Sequence, residues 1–200
     1  MAIVVEHDKR KSEILEKSLE LFCSEGFDDV TFQKIADACG VTRTTLYIYF
    51  KNKQEIFVWS IRHLTNRIEK ELLEIIEDET IPPDECLKKV VCCIVSECGA
   101  HYRLFKVLLP YLLSIEKSGI NPGERVRRRV IRIKHFLNMI IINGQNAGVF
   151  KKVPIKVVND MFYSMIETTM YRIAIMDKFD VKEIFDVVNL CVDGITISRS

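Results

Sequence analysis

Apolar residues recur three and four positions apart along almost the whole chain, the spacing that lines one face of an α-helix. Ile14, Leu15, Leu19, Leu21 and Phe22 predict a helix over residues 12–24, closed at Gly26, with residues 1–7 left as a loose arm. Thr31 is placed to cap a short helix over residues 32–39, and Thr42 to cap another held to the core by Leu46. Between them, Gly40 stands where the chain must turn and a positive φ is wanted, and Val41 plugs the corner. Asn52 then caps a long helix from residue 53 to about 78, with Ile56, Phe57, Ile61, Leu64, Ile68, Leu72, Ile75 and Ile76 keeping a period near 3.6.

A Pro-Pro break at residues 81–84 precedes a helix over 84–98, interrupted by Gly99. Further helices are expected over 102–116, kinked at Pro110, and over 124–143 after a loop at 118–123. Residues 143–148 read as a frayed end or a short turn, and the last two helices fall at about 155–176 and 181–197. No stretch alternates as a strand does, and nothing repeats. The expectation is an all-α chain of about nine helices: an N-terminal three-helix head over residues 1–54 and a helical body over 55–200.

Small Ala36, Gly40 four residues on and apolar Leu46 six after that suit a helix-turn-helix, whose second helix enters the DNA major groove. Arg43, Thr44 and Thr45 would occupy the first turn of that helix, the part that reaches base edges. An arginine there can give two hydrogen bonds to guanine, and a threonine methyl can meet the thymine methyl. Tyr47, Tyr49, Lys51 and Lys53 follow, with the hydroxyls and ammonium groups that bind phosphates.

Phe27, Thr31, Ile35, Ala36, Gly40, Val41, Leu46-Tyr47, Tyr49-Phe50 and Lys51-Asn52-Lys53 together resemble the DNA-binding signature of the tetracycline-repressor (TetR) family, and Ile14, Leu21-Phe22 and Gly26 extend the match. The resemblance covers roughly residues 10–60. It implies that Thr31, Tyr47, Tyr49 and Lys53 hold phosphates, and that Thr42, Arg43, Thr44 and Thr45 lie at or near the bases. It further implies an all-helical ligand-binding and dimerisation body, with a pocket among the fourth to eighth helices. Two positions depart from the pattern. Ile48 stands where many members carry an aromatic or polar residue, and Thr44 stands where glycine or proline is common, so base preference does not transfer.

Composition adds little to the DNA reading. The net charge is +1, and over residues 1–65 nine Lys/Arg face ten Asp/Glu, so the case rests on placement and not on bulk charge. Lys9, Arg10 and Lys11 could add phosphate contacts from the arm. The seven cysteines are odd in number, and the charged N-terminus is not a secretory signal, which points to a cytoplasmic chain with reduced thiols. No stretch approaches the roughly 20 apolar residues of a membrane span.

Other constellations are weaker. Cys86, Cys93, Glu97 and His101 lie near one helical stripe but lack the paired spacing of structural zinc, and Cys92, Cys93 and Cys98 have no neighbour expected to activate a thiol. No metal or cofactor is expected. The basic run Arg125, Arg127, Arg128, Arg129, Arg132 and Lys134 reads as a solvated helix face. Tyr102, Phe105, Phe136, Met139 and Met165 are the residues expected to face an apolar effector pocket, although core packing predicts them equally well.

The last two helices carry enough apolar residues for a core side and a partner side, which favours a homodimer through a four-helix interface. The function expected is a homodimeric repressor that binds a palindromic double-stranded operator and is released by a small apolar effector of unknown identity. An activator or architectural protein with the same head is the alternative. A helical enzyme fits poorly, because the four histidines show no catalytic spacing and no glycine-rich phosphate loop appears.

Overall fold

Nine α-helices make up nearly all of the described residues, 2–175 and 180–197, in the computed structural model. They are α1 (Ala2–Glu25), α2 (Phe32–Cys39), α3 (Arg43–Tyr49), α4 (Lys53–Glu77), α5 (Pro83–Ala100), α6 (Tyr102–Lys117), α7 (Pro122–Asn146), α8 (Ile155–Ile175) and α9 (Lys182–Ile195). The side chains of residues 2–5 and 125 lie outside this description, as do residue 176, the expected last residue of the eighth helix, and residues 198–200. Among the described residues the one β-type pairing is an isolated bridge between Phe150 and Thr196. None of their helices is long and apolar enough to cross a membrane.

The chain builds two apolar cores along the two halves of α4. The first gathers Ile14 and Phe22 of α1, Ile35 of α2, Leu46 of α3 and Ile56 and Phe57 of α4, all buried. The second gathers Leu72 at the far end of α4, Leu87 to Cys98 of α5, Phe136 to Ile141 of α7, and the inner faces of α8 and α9. Helix α6 bridges them. Its Leu104, Tyr111 and Ile115 are buried in the first core, while Phe105 packs on the second.

Three local expectations change. The arm is helical from residue 2, because tertiary contacts hold it: His7 stacks on Tyr49 at 4.6 Å, and Lys11 lies over the Trp59 and Phe50 rings at 4.8 and 5.6 Å. Gly99 does not interrupt its helix; α5 continues to Ala100, and a Cβ at Gly99 would stand 2.8 Å from Val181 Cγ1. Gly144 likewise sits inside α7, where a Cβ would overlap the fully buried Phe150 ring. Both glycines serve close approach within helices rather than chain reversal. Helix α6 also runs through Pro110, forgoing one backbone hydrogen bond.

Candidate nucleic-acid interface

Each helix of the helix-turn-helix starts at a side-chain cap of the expected type. Thr31 Oγ1 accepts from the Lys34 amide at 3.2 Å, and Thr42 Oγ1 accepts from the Thr45 amide at 3.0 Å. Gly40 adopts φ +65° at the end of α2, and the Val41 amide donates back to the Ala36 carbonyl at 3.0 Å. Asn52 Oδ1 accepts from the Glu55 amide at 2.8 Å, and the Glu55 carboxylate reaches back to the Lys51 amide at 2.6 Å. Three caps and one left-handed glycine thus set the angles between α2, α3 and α4 by local hydrogen bonds.

What α3 leaves outside is a compact polar surface. Arg43 and Thr44 are exposed at its first turn, and the Arg43 guanidinium donates to the Tyr47 hydroxyl at 3.3 Å. Tyr47 is 50 % exposed and stacks on Phe32 at 4.5 Å, which presents its hydroxyl beyond the helix. Thr45 shares a 2.8 Å hydroxyl hydrogen bond with Thr42, so both belong to the cap as much as to the surface. Ile48 is 70 % exposed on the same short helix, and the Lys51 side chain is exposed just beyond it. Neither packing nor capping accounts for an isoleucine so placed.

Two other residues sit differently from the expectation. Lys53 points its ammonium into the loop between α1 and α2, donating to the carbonyls of Phe27, Asp28 and Val30 at 2.9, 3.0 and 2.9 Å and lying 4.7 Å over the Phe27 ring. All three of its donors are therefore occupied within the head. Tyr49 is half-buried beneath His7 of α1. Of the N-terminal bases, Arg10 bonds Glu13 at 3.0 Å and the Cys39 carbonyl at 3.5 Å, and Lys11 covers Trp59, so both are held in place by the head. Sequence reasoning missed His7; no cap or period marks the first turns of α1, and only the stack on Tyr49 reveals the connection.

The head is also fastened to the body. Tyr111 of α6 packs against Phe27 and Phe57, each at 4.9 Å between ring centres, and Gln54 donates to its hydroxyl at 3.3 Å. Phe27 is at once the partner of Tyr111 and, through its carbonyl, of Lys53.

The remaining candidates divide. Phe136 is buried in the body core, Phe105 and Met165 pack against that core, Met139 is half-buried, and Tyr102 lies 40 % exposed at the start of α6. Tyr102 also lines a cleft whose other walls come from α1 and α4, and the other four are not among the residues that line that cleft. Burial pushes Cys86 and Cys93 up to about 11 and Cys98 up to about 12, so these thiols stay protonated and weakly nucleophilic at neutral pH. Among the described residues no three His, Cys, Asp or Glu side chains converge for a metal. Half of the basic run on α7 is paired: Arg129 and Arg132 bind Glu69 of α4, and Lys134 binds Asp160 at 2.9 Å, while Arg127 and Arg128 are exposed.

Residues 14–58 match the family described as bacterial regulatory proteins, tetR family. The chain is 31% identical over 119 residues to an uncharacterized HTH-type transcriptional regulator, YerO, of Bacillus subtilis (strain 168), a match over 59% of this chain and 39% of that protein. In fold it is similar to a TetR transcription regulator from Haloarcula marismortui, with a TM-score of 0.81 at 19% identity over 95% of this chain and 100% of the other. It is also similar in fold to the transcriptional regulator FadR from Bacillus subtilis in complex with stearoyl-CoA, with a TM-score of 0.70 at 22% identity over 92% and 98% of the two chains.

Proposed function

We propose, for a chain that belongs to the tetR family of bacterial regulatory proteins, that it is a homodimeric repressor whose two heads read a palindromic operator and whose body responds to a small apolar effector. The observation that carries the reading is the surface of α3: Arg43, Thr44 and Tyr47 are exposed together on a helix of seven residues whose start is capped by Thr42. Arg43 and Thr44 are then the base readers, and the exposed Ile48 adds an apolar contact of the kind a thymine methyl accepts. Tyr47, Lys51 and the Thr31 end of α2 meet phosphates. Lys53, which the resemblance assigns to a phosphate, acts here as the tie that holds the loop against α4, so its influence on DNA passes through the position of the head.

The dimer is supported by α8 and α9. Val157, Ser164, Thr168, Tyr171 and Ile175 lie exposed along α8 at heptad-like steps, with Met161, which also packs on the core, between the first two. Val157 is 64 % and Tyr171 67 % exposed. On α9, Val187, Leu190 and Gly194 repeat the pattern, with Leu190 73 % exposed and open space around Gly194. Two copies packed on these stripes form a four-helix interface and set two heads for half-sites about 34 Å apart or a multiple of it.

Effector control follows from the bridge. A ligand that favours one placement of α6 moves Tyr111, and with it Phe27, Phe57 and the head; operator affinity then changes by the ligand's differential affinity for the two states. Because the FadR structure similar in fold holds stearoyl-CoA, a long-chain acyl thioester is the first effector to try. The test is operator binding followed by fluorescence anisotropy across salt concentrations, with and without stearoyl-CoA. The reading predicts a steep salt slope that Leu190→Glu flattens by separating the protomers, and release on adding the thioester. DNA binding without salt dependence would overturn the DNA reading, and indifference to the thioester would overturn that choice of effector.

A further inference from the structure

We infer, resting on the DNA-binding reading above, that His7 is a DNA-binding residue and that the stacked His7–Tyr49 ring pair is a phosphate site beside α3. The contact comes from the first turns of α1, outside the helix-turn-helix.

Helix packing builds the pair. His7, Lys11, Ile14 and Ser18 follow one another at steps of four, three and four, so they share one face of α1. Ile14 and Ser18 are buried in the head, and Lys11 lies over the Phe50 and Trp59 rings. One turn further toward the N-terminus, the same face reaches Tyr49, the last residue of α3. There the His7 ring stacks at 4.6 Å, with 28° between the ring planes. Tyr49 is half-buried, while 49 % of the His7 side chain is exposed. The stack therefore fixes an accessible imidazole at the edge of the head, on the residue that follows the exposed Tyr47 and Ile48.

The unbonded edges of the two rings point to the ligand. The hydroxyls of Tyr47, Tyr102 and Tyr111 each accept a hydrogen bond, from Arg43, Arg103 and Gln54. Among the described residues neither the Tyr49 hydroxyl nor the His7 ring has a hydrogen-bond partner. The Asp8 carboxylate stands 3.8 Å from His7 Nδ1, beyond hydrogen-bond distance, so Nε2 is free to carry the ring proton and donate it. The pair thus offers an O–H and an N–H with no acceptor of their own. The acceptor that a duplex presents at the flank of a recognition helix is a phosphate oxygen. Cations that could have served there are engaged inside the head. Lys53 donates to three loop carbonyls, Arg10 binds Glu13, and Lys11 covers two aromatic rings. His7 and Tyr49 supply donors that those ties withdraw.

The test follows duplex binding by fluorescence anisotropy across salt concentrations, using the full chain as wild type, His7→Phe and His7→Arg. The probes are a duplex recovered by selection from random DNA and a scrambled duplex of the same composition. His7→Phe keeps a ring on Tyr49 and removes the N–H. It should bind both duplexes about fivefold more weakly, at an unchanged melting temperature. His7→Arg still stacks on the tyrosine and brings a fixed charge, so its salt slope should be steeper by about one. Wild-type affinity in His7→Phe, or a wild-type slope in His7→Arg, overturns the role of His7 and leaves the DNA-binding reading standing. A His7→Phe defect confined to one base pair overturns it equally, because a phosphate carries no sequence. Salt-independent binding by the wild-type protein itself would instead bring down the DNA-binding reading, and the role of His7 with it.

Discussion

The head and the body are both helical cores strung on α4, yet different interactions define their edges. In the head, three side-chain caps fix where α2, α3 and α4 begin and one left-handed glycine fixes where α2 ends, each through partners within five residues. In the body, α5 starts at a proline with no side-chain cap, and two glycines answer to side-chain packing: Gly99 makes room for the distant Val181, and Gly144 for the Phe150 ring just past the end of its own helix. Local hydrogen bonds set the starts of α2, α3 and α4; packing against other side chains decides the glycine positions in α5 and α7. The first kind of information lies in short stretches of sequence, and the second appears only when the helices are assembled.

The sharpest way to break the contrast is Gly144→Ala. Its Cβ meets the buried Phe150 ring, so overpacking should lower stability by about 3 kcal/mol in chemical denaturation, although alanine is the better helix former. A neutral or stabilising result would mean that the body, like the head, is governed by local propensity.

Arg43→Ala acts at the other pole. It should leave folding unchanged and lower discrimination by about 1–3 kcal/mol at one base pair of the operator, measured on substituted duplexes. Unchanged preference would remove Arg43 from the base readers.

Lys53 lies between the two. Lys53→Met removes three hydrogen bonds to loop carbonyls and should cost about 1.5 kcal/mol of stability while leaving the salt slope of DNA binding intact. A slope shallower by about one would instead show a direct phosphate contact. Smallest is Thr42→Ala, which deletes a cap and should cost about 1 kcal/mol in denaturation; a larger loss would show that α3 depends on Thr42 for more than its first turn.

The same division explains what could be read before the fold was known. Thr31, Gly40, Thr42 and Asn52 announced the head because capping and turn chemistry act over three or four residues. The helix that replaces the expected arm was not legible, since residues 2–11 carry no cap and depend on His7 meeting Tyr49 and Lys11 meeting Trp59 across the head. Lys53 reads as a phosphate ligand because the signature it resembles places one there; only the folded loop shows three carbonyls turned toward it. Phe136 and Met165 illustrate a harder limit. A large apolar residue on a helix face has the same pattern whether it lines a pocket or fills a core, and packing alone decides.

The most direct measurement is selection of bound sequences from random duplex DNA by the purified protein. The account predicts enrichment of a palindrome with two equal half-sites, their centres one helical turn or a multiple apart. Enrichment of a single half-site, or none from a folded and dimeric protein, would contradict it.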